Sequence, residues 1–346
     1  MKALIYHGPG KMTWEDAPMP KLNMATDAVV RMTKTTICGT DLHILKGDLD
    51  TVAEGRILGH EGIGIVEEVG PCVTHFKKGD RVLISCITAC GKCEYCKRGM
   101  PSHCKQGGWI LGNTIDGTQA EYVLIPFADS SLYPIPEGAD EDSMVMLSDI
   151  LPTGYECGVL KGSILPGDTV AIIGAGPIGL SALLTTQFYA PSNIIVIDLD
   201  DNRLEVAKQI GATQVINSTD GKAVEKVMAL TSARGVDVAI EAVGMAATFG
   251  ICQEIIGIGG RIANIGVHGA SATLHLEKLW SQSITITTRL VDAVTTSLLL
   301  KTVLSGKLQP KQLITHQFAL DDILNAYDTF GNAGREHALK VILTSK

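Results

Sequence analysis

No lysine- or arginine-rich block stands out in this sequence, and its formal net charge is -8. A surface built for nucleic acid or an anionic membrane is therefore not expected. No apolar run is long enough to cross a bilayer either: the longest, over 170–184, is cut by Gly174, Gly176, Pro177 and Gly179. The opening residues Met1-Lys2-Ala3-Leu4-Ile5-Tyr6-His7-Gly8 have no long apolar stretch and no small-residue cleavage site. No export signal is expected from them, and the cytoplasm is the expected compartment. Solenoid repeats and low-complexity linkers are missing as well. What is there is a chain of 346 residues, 45% hydrophobic and 19% charged. That is the make-up of a folded protein with core enough for two domains or one large one, and with a small or neutral ligand.

Up to about residue 150, short β-type runs separated by turn residues (28–36, 62–69, 81–85, 121–125) predict an irregular, mostly β domain. From Asp168 the pattern becomes strand–helix alternation. Strands are expected at 169–173, 194–198, 214–216, 236–240 and 261–265, with helices from Pro177 and over 202–210 between them. This predicts a parallel sheet with crossover helices, an α/β fold. A last strand at 283–291, helices at 297–305 and 321–330, and a strand at 338–344 returning to the first domain complete the expectation.

Nine cysteines would be surprising as disulfides in a reducing compartment. Four of them, Cys90, Cys93, Cys96 and Cys104, form C-x2-C-x2-C-x7-C. Thiolates this close cannot all pair as disulfides without strain, but they can wrap a tetrahedral zinc ion. Iron–sulfur ligation uses related spacings, and unligated thiols are the plain alternative; the lack of a second matching cysteine set favours a closed structural zinc. Lys92, Lys97, Arg98 and Lys105 surround the cluster against one acid, Glu94. Such cations offset the negative charge of a four-thiolate zinc.

Cys38, in Cys38-Gly39-Thr40-Asp41-Leu42-His43, and Gly59-His60-Glu61-Gly62 offer a thiolate, an imidazole and a carboxylate. That donor set suits zinc with a fourth position left open. For Asp41 and Glu61 an ordinary buried, hydrogen-bonded carboxylate is the other reading.

Gly174-Ala175-Gly176-Pro177-Ile178-Gly179 follows the apolar run Val170-Ala171-Ile172-Ile173 and opens an apolar helix. This is the dinucleotide-binding pattern: a turn glycine, a glycine for close approach to the pyrophosphate, and a third for helix–strand packing at a phosphate-attracting helix N-terminus. Asp198 ends the next strand about twenty residues after the last glycine, where an acid binds the adenosine ribose and repels a 2′-phosphate. NAD is the expected cofactor. Arg203, close by, could instead neutralise a phosphate.

Taken in order, C-G-T-D-x-H, G-H-E-G-x-G, Gly79-Asp80-Arg81-Val82, the four-cysteine lobe, Thr153-Gly154 and the glycine-rich turn resemble the zinc-dependent medium-chain alcohol dehydrogenases over nearly the whole chain. The resemblance implies a GroES-like, mostly β catalytic domain at 1–152, completed by 293–346, and a Rossmann doubly wound parallel sheet at 153–292. It implies Cys38, His60 and Asp149 as catalytic zinc ligands, with Glu61 near the metal and Asp41 on the other nitrogen of His60. Cys157 competes with Asp149 on softness, but register favours Asp149. Thr40 and His43 then stand where a proton relay is expected. On the cofactor side the resemblance implies Thr153, Ile178, Arg203, Val243, Gly266 and Val267, with Lys340 reaching the pyrophosphate. Trp109 and Leu111 are the expected walls of a substrate pocket.

The implied activity is reversible hydride transfer from a primary or secondary alcohol to NAD, giving an aldehyde or ketone, with two zinc ions per subunit in a homotetramer. A polyol or threonine dehydrogenase of the same superfamily, and a non-catalytic NAD-binding sensor, are the competing readings.

Overall fold

The computed structural model describes residues 1–345. The chain forms two compact units, one of Met1–Asp149 together with the stretch from Asp292 on, the other of Ile150–Val291.

In the first unit, the strand Ala28–Thr36 is the hub of a seven-stranded sheet. It pairs antiparallel with Gly62–Val69, with Tyr122–Ile125 and with the last strand, Lys340–Thr344. The C-terminal segment expected to return to this domain does so, with Ile342 opposite Thr36. Buried Val30, Met32, Val66, Val82, Ile84, Val123 and Ile125 form one core on this sheet. A second core joins Leu4, Ile37 and Ile44 to Ile323, Tyr327 and Phe330 of the late helix Ile323–Gly331. That helix is therefore part of the first unit although it lies near the end of the sequence. The C-G-T-D-x-H stretch, read from sequence only as a motif, is a helix, Gly39–Lys46, ended by Gly47 in a left-handed conformation.

The second unit is a six-stranded parallel sheet. Its strands run, edge to edge, Gln214–Asn217, Asn193–Asp198, Thr169–Ile173, Val236–Glu241, Ile256–Asn264 and Thr285–Thr288. Counted within this unit the order is 3-2-1-4-5-6, the doubly wound arrangement that binds dinucleotides. The strands are nearly continuous runs of valine, isoleucine and alanine because the middle of a parallel sheet is covered on both faces. Helix Pro177–Thr186 follows the first strand, and Pro177 at its first turn has no amide to leave unsatisfied.

Candidate active site

Cys38, His60, Glu61 and Asp149 are all buried, and one donor atom from each lies within 4.8 Å of every other. Local structure places each of them. Cys38 precedes helix Gly39–Lys46, and its amide donates to Asp41 Oδ2 at 2.9 Å. His60 and Glu61 lead into strand Gly62–Val69, and the Ser148 hydroxyl accepts the Gly62 amide at 3.0 Å. That bond pins the residue after Glu61 to the residue before Asp149. The Cys38 sulfur stands 3.7 Å from Asp149 Oδ2, and His60 Nε2 stands 3.5 Å from the same oxygen. Donors at zinc-bond lengths around one tetrahedral ion lie roughly 3.3–3.8 Å apart, so the spacing fits. Cys157, the softer competitor, lies in the helical turn Gly154–Leu160 and is not one of this group.

The electrostatics point the same way. Burial pushes the Cys38 thiol and the Glu61 carboxyl above their ordinary values, and Asp149 adds to both shifts. Burial alone would lower His60, but its hydrogen bonds to Asp149 and Cys38 lift it well above an ordinary imidazole. Three acids and an imidazole crowded out of water call for a cation, and a divalent ion meets that demand. Glu61 Oε1 is buried without a hydrogen-bond partner, a further open donor.

Lys340 is a buried partner of Glu61. It is 1% exposed, and its ammonium is taken by Glu61 Oε2 and, at 3.2 Å, by the Ile37 carbonyl. Burial pulls the lysine down, but Glu61 outweighs this and leaves it above its ordinary value. Leu111, expected as a pocket wall, is fully buried in the β-sheet core. Trp109 meets the His60 ring edge-on with centroids 6.1 Å apart, at the margin of the donor cluster. The Thr40 hydroxyl lies 3.7 Å from the Cys38 sulfur. His43 Nδ1 bonds Asp48 Oδ2 at 2.8 Å on a partly exposed edge.

Sequence reasoning missed three groups here. Cys86 is buried with its sulfur 3.5 Å from Asp149 Oδ1. Gln119 donates to Asp41, and Tyr327, from a distant segment, donates to Gln119. None of the three belongs to a local motif; only strand pairing and the return of the C-terminal segment bring them in.

The four-cysteine lobe closes on itself. The Cys93 and Cys96 sulfurs are 3.5 Å apart, and the Cys90 amide donates to the Cys104 sulfur at 3.3 Å. Among the described residues these four thiols and the Cys38 group are the two sets able to hold a metal. Amide donation from Cys96 and Lys105 draws the Cys93 thiol down to about 6, toward the thiolate a metal requires. Lys105 is paired with Glu94 at 2.8 Å.

In the second unit, Gly174 has φ +104, a conformation other residues avoid, and a Cβ at Gly179 would run into the Gly174 carbonyl oxygen. Around Gly176 the nearest atom to a notional Cβ is an Arg203 guanidinium nitrogen at 4.0 Å, so the turn leaves space there with a cation beside it. Asp198 Oδ2 accepts the Ala175 amide at 2.6 Å, while Oδ1 accepts those of Leu199 and Asp200. Val243 and Gly244 donate to the buried Glu241 carboxylate, and Val243 and Val267 stay exposed. Gly266 packs on Gly244 so closely that a side chain would collide with its backbone. Thr153 ends helix Ile150–Thr153, just ahead of the turn that carries Cys157.

Two family models match the chain: an alcohol dehydrogenase GroES-like domain over residues 24–137 and a zinc-binding dehydrogenase over residues 177–300. An alcohol dehydrogenase of Cupriavidus necator is 38% identical, the match covering 99% of this chain and 98% of that one. Among solved structures, the apo form of zinc dependent alcohol dehydrogenase 2 from Streptococcus pneumonia is 55% identical, with a TM-score of 0.96 over 100% of this chain and 99% of that one. The alcohol dehydrogenase TADH from Thermus sp. ATN1 is 34% identical, with a TM-score of 0.92 over the full length of both.

Proposed function

Since the chain belongs to the zinc-dependent medium-chain alcohol dehydrogenases and is a zinc alcohol dehydrogenase acting on a small alcohol, we propose that Cys38, His60 and Asp149 hold its catalytic zinc and that NAD is its hydride acceptor. The observation that carries this reading is the buried donor set, with zinc-like spacing and one acid, Glu61, standing by. Cys90, Cys93, Cys96 and Cys104 hold a second, structural zinc, which makes two per subunit. The catalytic ion, when bound, acts as a Lewis acid that lowers the pKa of the alcohol hydroxyl. NAD supplies the hydride acceptor, and Asp198 and the space at Gly176 support it.

The chain's own residues have to deal with the proton. Oxidation takes a hydride from the carbinol carbon and a proton from the hydroxyl, and in a buried site that proton needs a path out. Thr40, next to the Cys38 sulfur, takes the substrate's hydrogen bond. His43, on a partly exposed edge and braced by Asp48, passes the proton to water. The product is an aldehyde from a primary alcohol or a ketone from a secondary one. Trp109, edge-on to His60, is the aromatic wall beside the reacting carbon.

We assign the active form to a homotetramer. The edge strand Thr285–Thr288 and the exposed Ile258, Leu276 and Trp280 of the same unit offer apolar surface for a second copy. A reducing compartment, the cytoplasm, suits a chain whose chemistry rests on free thiols.

The test is NADH formation from NAD on zinc-replete protein with 1-butanol and 2-butanol. Turnover of either, with a clear difference in kcat/KM, supports the reading and says whether the Trp109 wall admits a second substituent. Failure with both moves the substrate to a polyol or an amino alcohol.

A further inference from the structure

Asp41 is connected to more than His60. Its Oδ2 accepts two N–H groups: the Cys38 amide at 2.9 Å and the Gln119 side-chain amide at 3.0 Å. The same Gln119 nitrogen also donates to the Thr36 carbonyl at 3.1 Å. Both acceptors lack hydrogens to give, so the orientation of the Gln119 amide is fixed, with its NH2 toward Asp41 and its oxygen pointing away. That oxygen accepts the Tyr327 hydroxyl at 2.8 Å. Tyr327 is 3% exposed, Gln119 is fully buried and Asp41 is 1% exposed, so no water competes. Burial, with Asp41 nearby, keeps the tyrosine well above its ordinary pKa, a neutral donor.

The chain of donors therefore runs one way: Tyr327 to Gln119 to Asp41. The hydrogen bonds from Cys38 and Gln119 both fall on Oδ2. The other oxygen, Oδ1, is buried with no hydrogen-bond partner and faces His60 Nδ1 at 3.8 Å, longer than a hydrogen bond. The acid has one filled side and one unfilled side, and the unfilled side looks at the imidazole whose Nε2 faces Asp149 in the donor cluster. Gln119 also packs on the backbone that carries His60: a Cβ at Gly59 would lie 2.6 Å from Gln119 Cγ.

We propose that Gln119 and Tyr327 are positioning residues for the metal site. By saturating Oδ2 of Asp41 they reserve Oδ1 for the Nδ1–H of His60, which fixes the imidazole in the tautomer that leaves Nε2 free as a ligand. Outer partners of this kind orient a ligand and raise its basicity. The inference rests on the reading that Cys38, His60 and Asp149 hold zinc.

The test uses the full-length, zinc-loaded protein and two variants. Gln119→Met keeps the length and the packing over Gly59 but removes both donors. Tyr327→Phe removes only the hydroxyl that orients the amide, and is the milder change should Gln119→Met fail to fold. Zinc affinity is read by competition with a chromophoric chelator, and ligand geometry by the visible absorption of protein in which cobalt replaces the Cys38-site zinc. The four-cysteine site is the internal control.

Gln119→Met is expected to weaken the Cys38-site zinc about 10–100-fold and to change the cobalt spectrum, with the four-cysteine zinc held as before. Tyr327→Phe is expected to move both readouts in the same direction by less. Unaltered affinity and spectrum in Gln119→Met, or in Tyr327→Phe where that alone folds, overturns the proposal, as does an equal loss of both zincs. Cys38→Ala separates the two levels of inference: if it keeps both zinc ions, the metal reading itself fails and this one with it.

Discussion

Asp198 accepts the Ala175 amide at 2.6 Å, so the acid ending one strand closes the glycine-rich turn that ends its neighbour. An acid read from sequence as a ribose ligand is in the structure a brace of the glycine-rich turn. Asp198→Ala should relax the preference for NAD over NADP, measured as the ratio of kcat/KM values, on the order of 10-fold or more. It should also cost about 1–3 kcal/mol of stability through the orphaned amides. An unchanged cofactor ratio with lowered stability would leave Asp198 as a brace alone.

Lys340 and Glu61 form a buried ion pair, and removing one member strands the other. Lys340→Met should destabilise the fold by about 3–5 kcal/mol, and Glu61→Gln in the same chain should recover much of that loss. Denaturant titration of the two single variants and the double variant gives the coupling directly. Additive losses would mean that the two charges do not depend on each other.

Cys96→Ser should remove one zinc per chain by elemental analysis and lower the melting temperature by several degrees, roughly 5–10 °C. Chemistry in the protein that folds should persist, because the lobe belongs to a metal group distinct from that of Cys38. An unchanged melting temperature would count against a structural ion there.

His43→Gln keeps a polar side chain at the partly exposed edge but removes the imidazole that would pass the proton to water. A loss on the order of 10-fold or more in kcat/KM for alcohol oxidation is expected, together with a flatter pH profile. If rate and profile both match the parent enzyme, the proton leaves by another route.

Asp142 is held below its ordinary value: burial opposes this, and the Lys34 ammonium at 2.8 Å prevails, aided by Gln317 and Lys311. An aspartate depressed in the folded state adds stability above its unfolded pKa, and that stability is lost as pH falls through the depressed folded value. Asp142→Asn should therefore destabilise the protein by about 1 kcal/mol at neutral pH. The gap in melting temperature between variant and parent should close well below pH ~4, the ordinary aspartate value. A gap that stays constant across that window would assign the cost to packing.

The fold class was legible because its signals are local. Strand–helix alternation after Asp168 and the glycine-rich turn each occupy short stretches, and the parallel sheet follows from them. The cysteine lobe is equally local, with Cys90 and Cys104 only 14 residues apart. What could not be read depends on distant segments meeting. Leu111 looked like a pocket wall because it stands two residues after Trp109, yet the irregular segment that carries both buries it in the sheet core while Trp109 meets His60. Lys340 was placed by analogy, and only the pairing of the last strand with Ala28–Thr36 shows that it reaches Glu61. Gln119 and Tyr327 are ordinary residues in ordinary surroundings until 208 positions of sequence are folded back.

That separation sets a timetable. The cysteine lobe can load its metal once a loop of some fifteen residues closes, an inexpensive step in chain entropy. The Cys38 site draws its third donor, Asp149, 111 positions later, and the brace on Glu61, Lys340, stands 279 positions beyond Glu61. During synthesis the two donor sets are therefore completed at different times: the four thiols once position 104 has emerged, the Cys38 group with its brace only when the closing strand has.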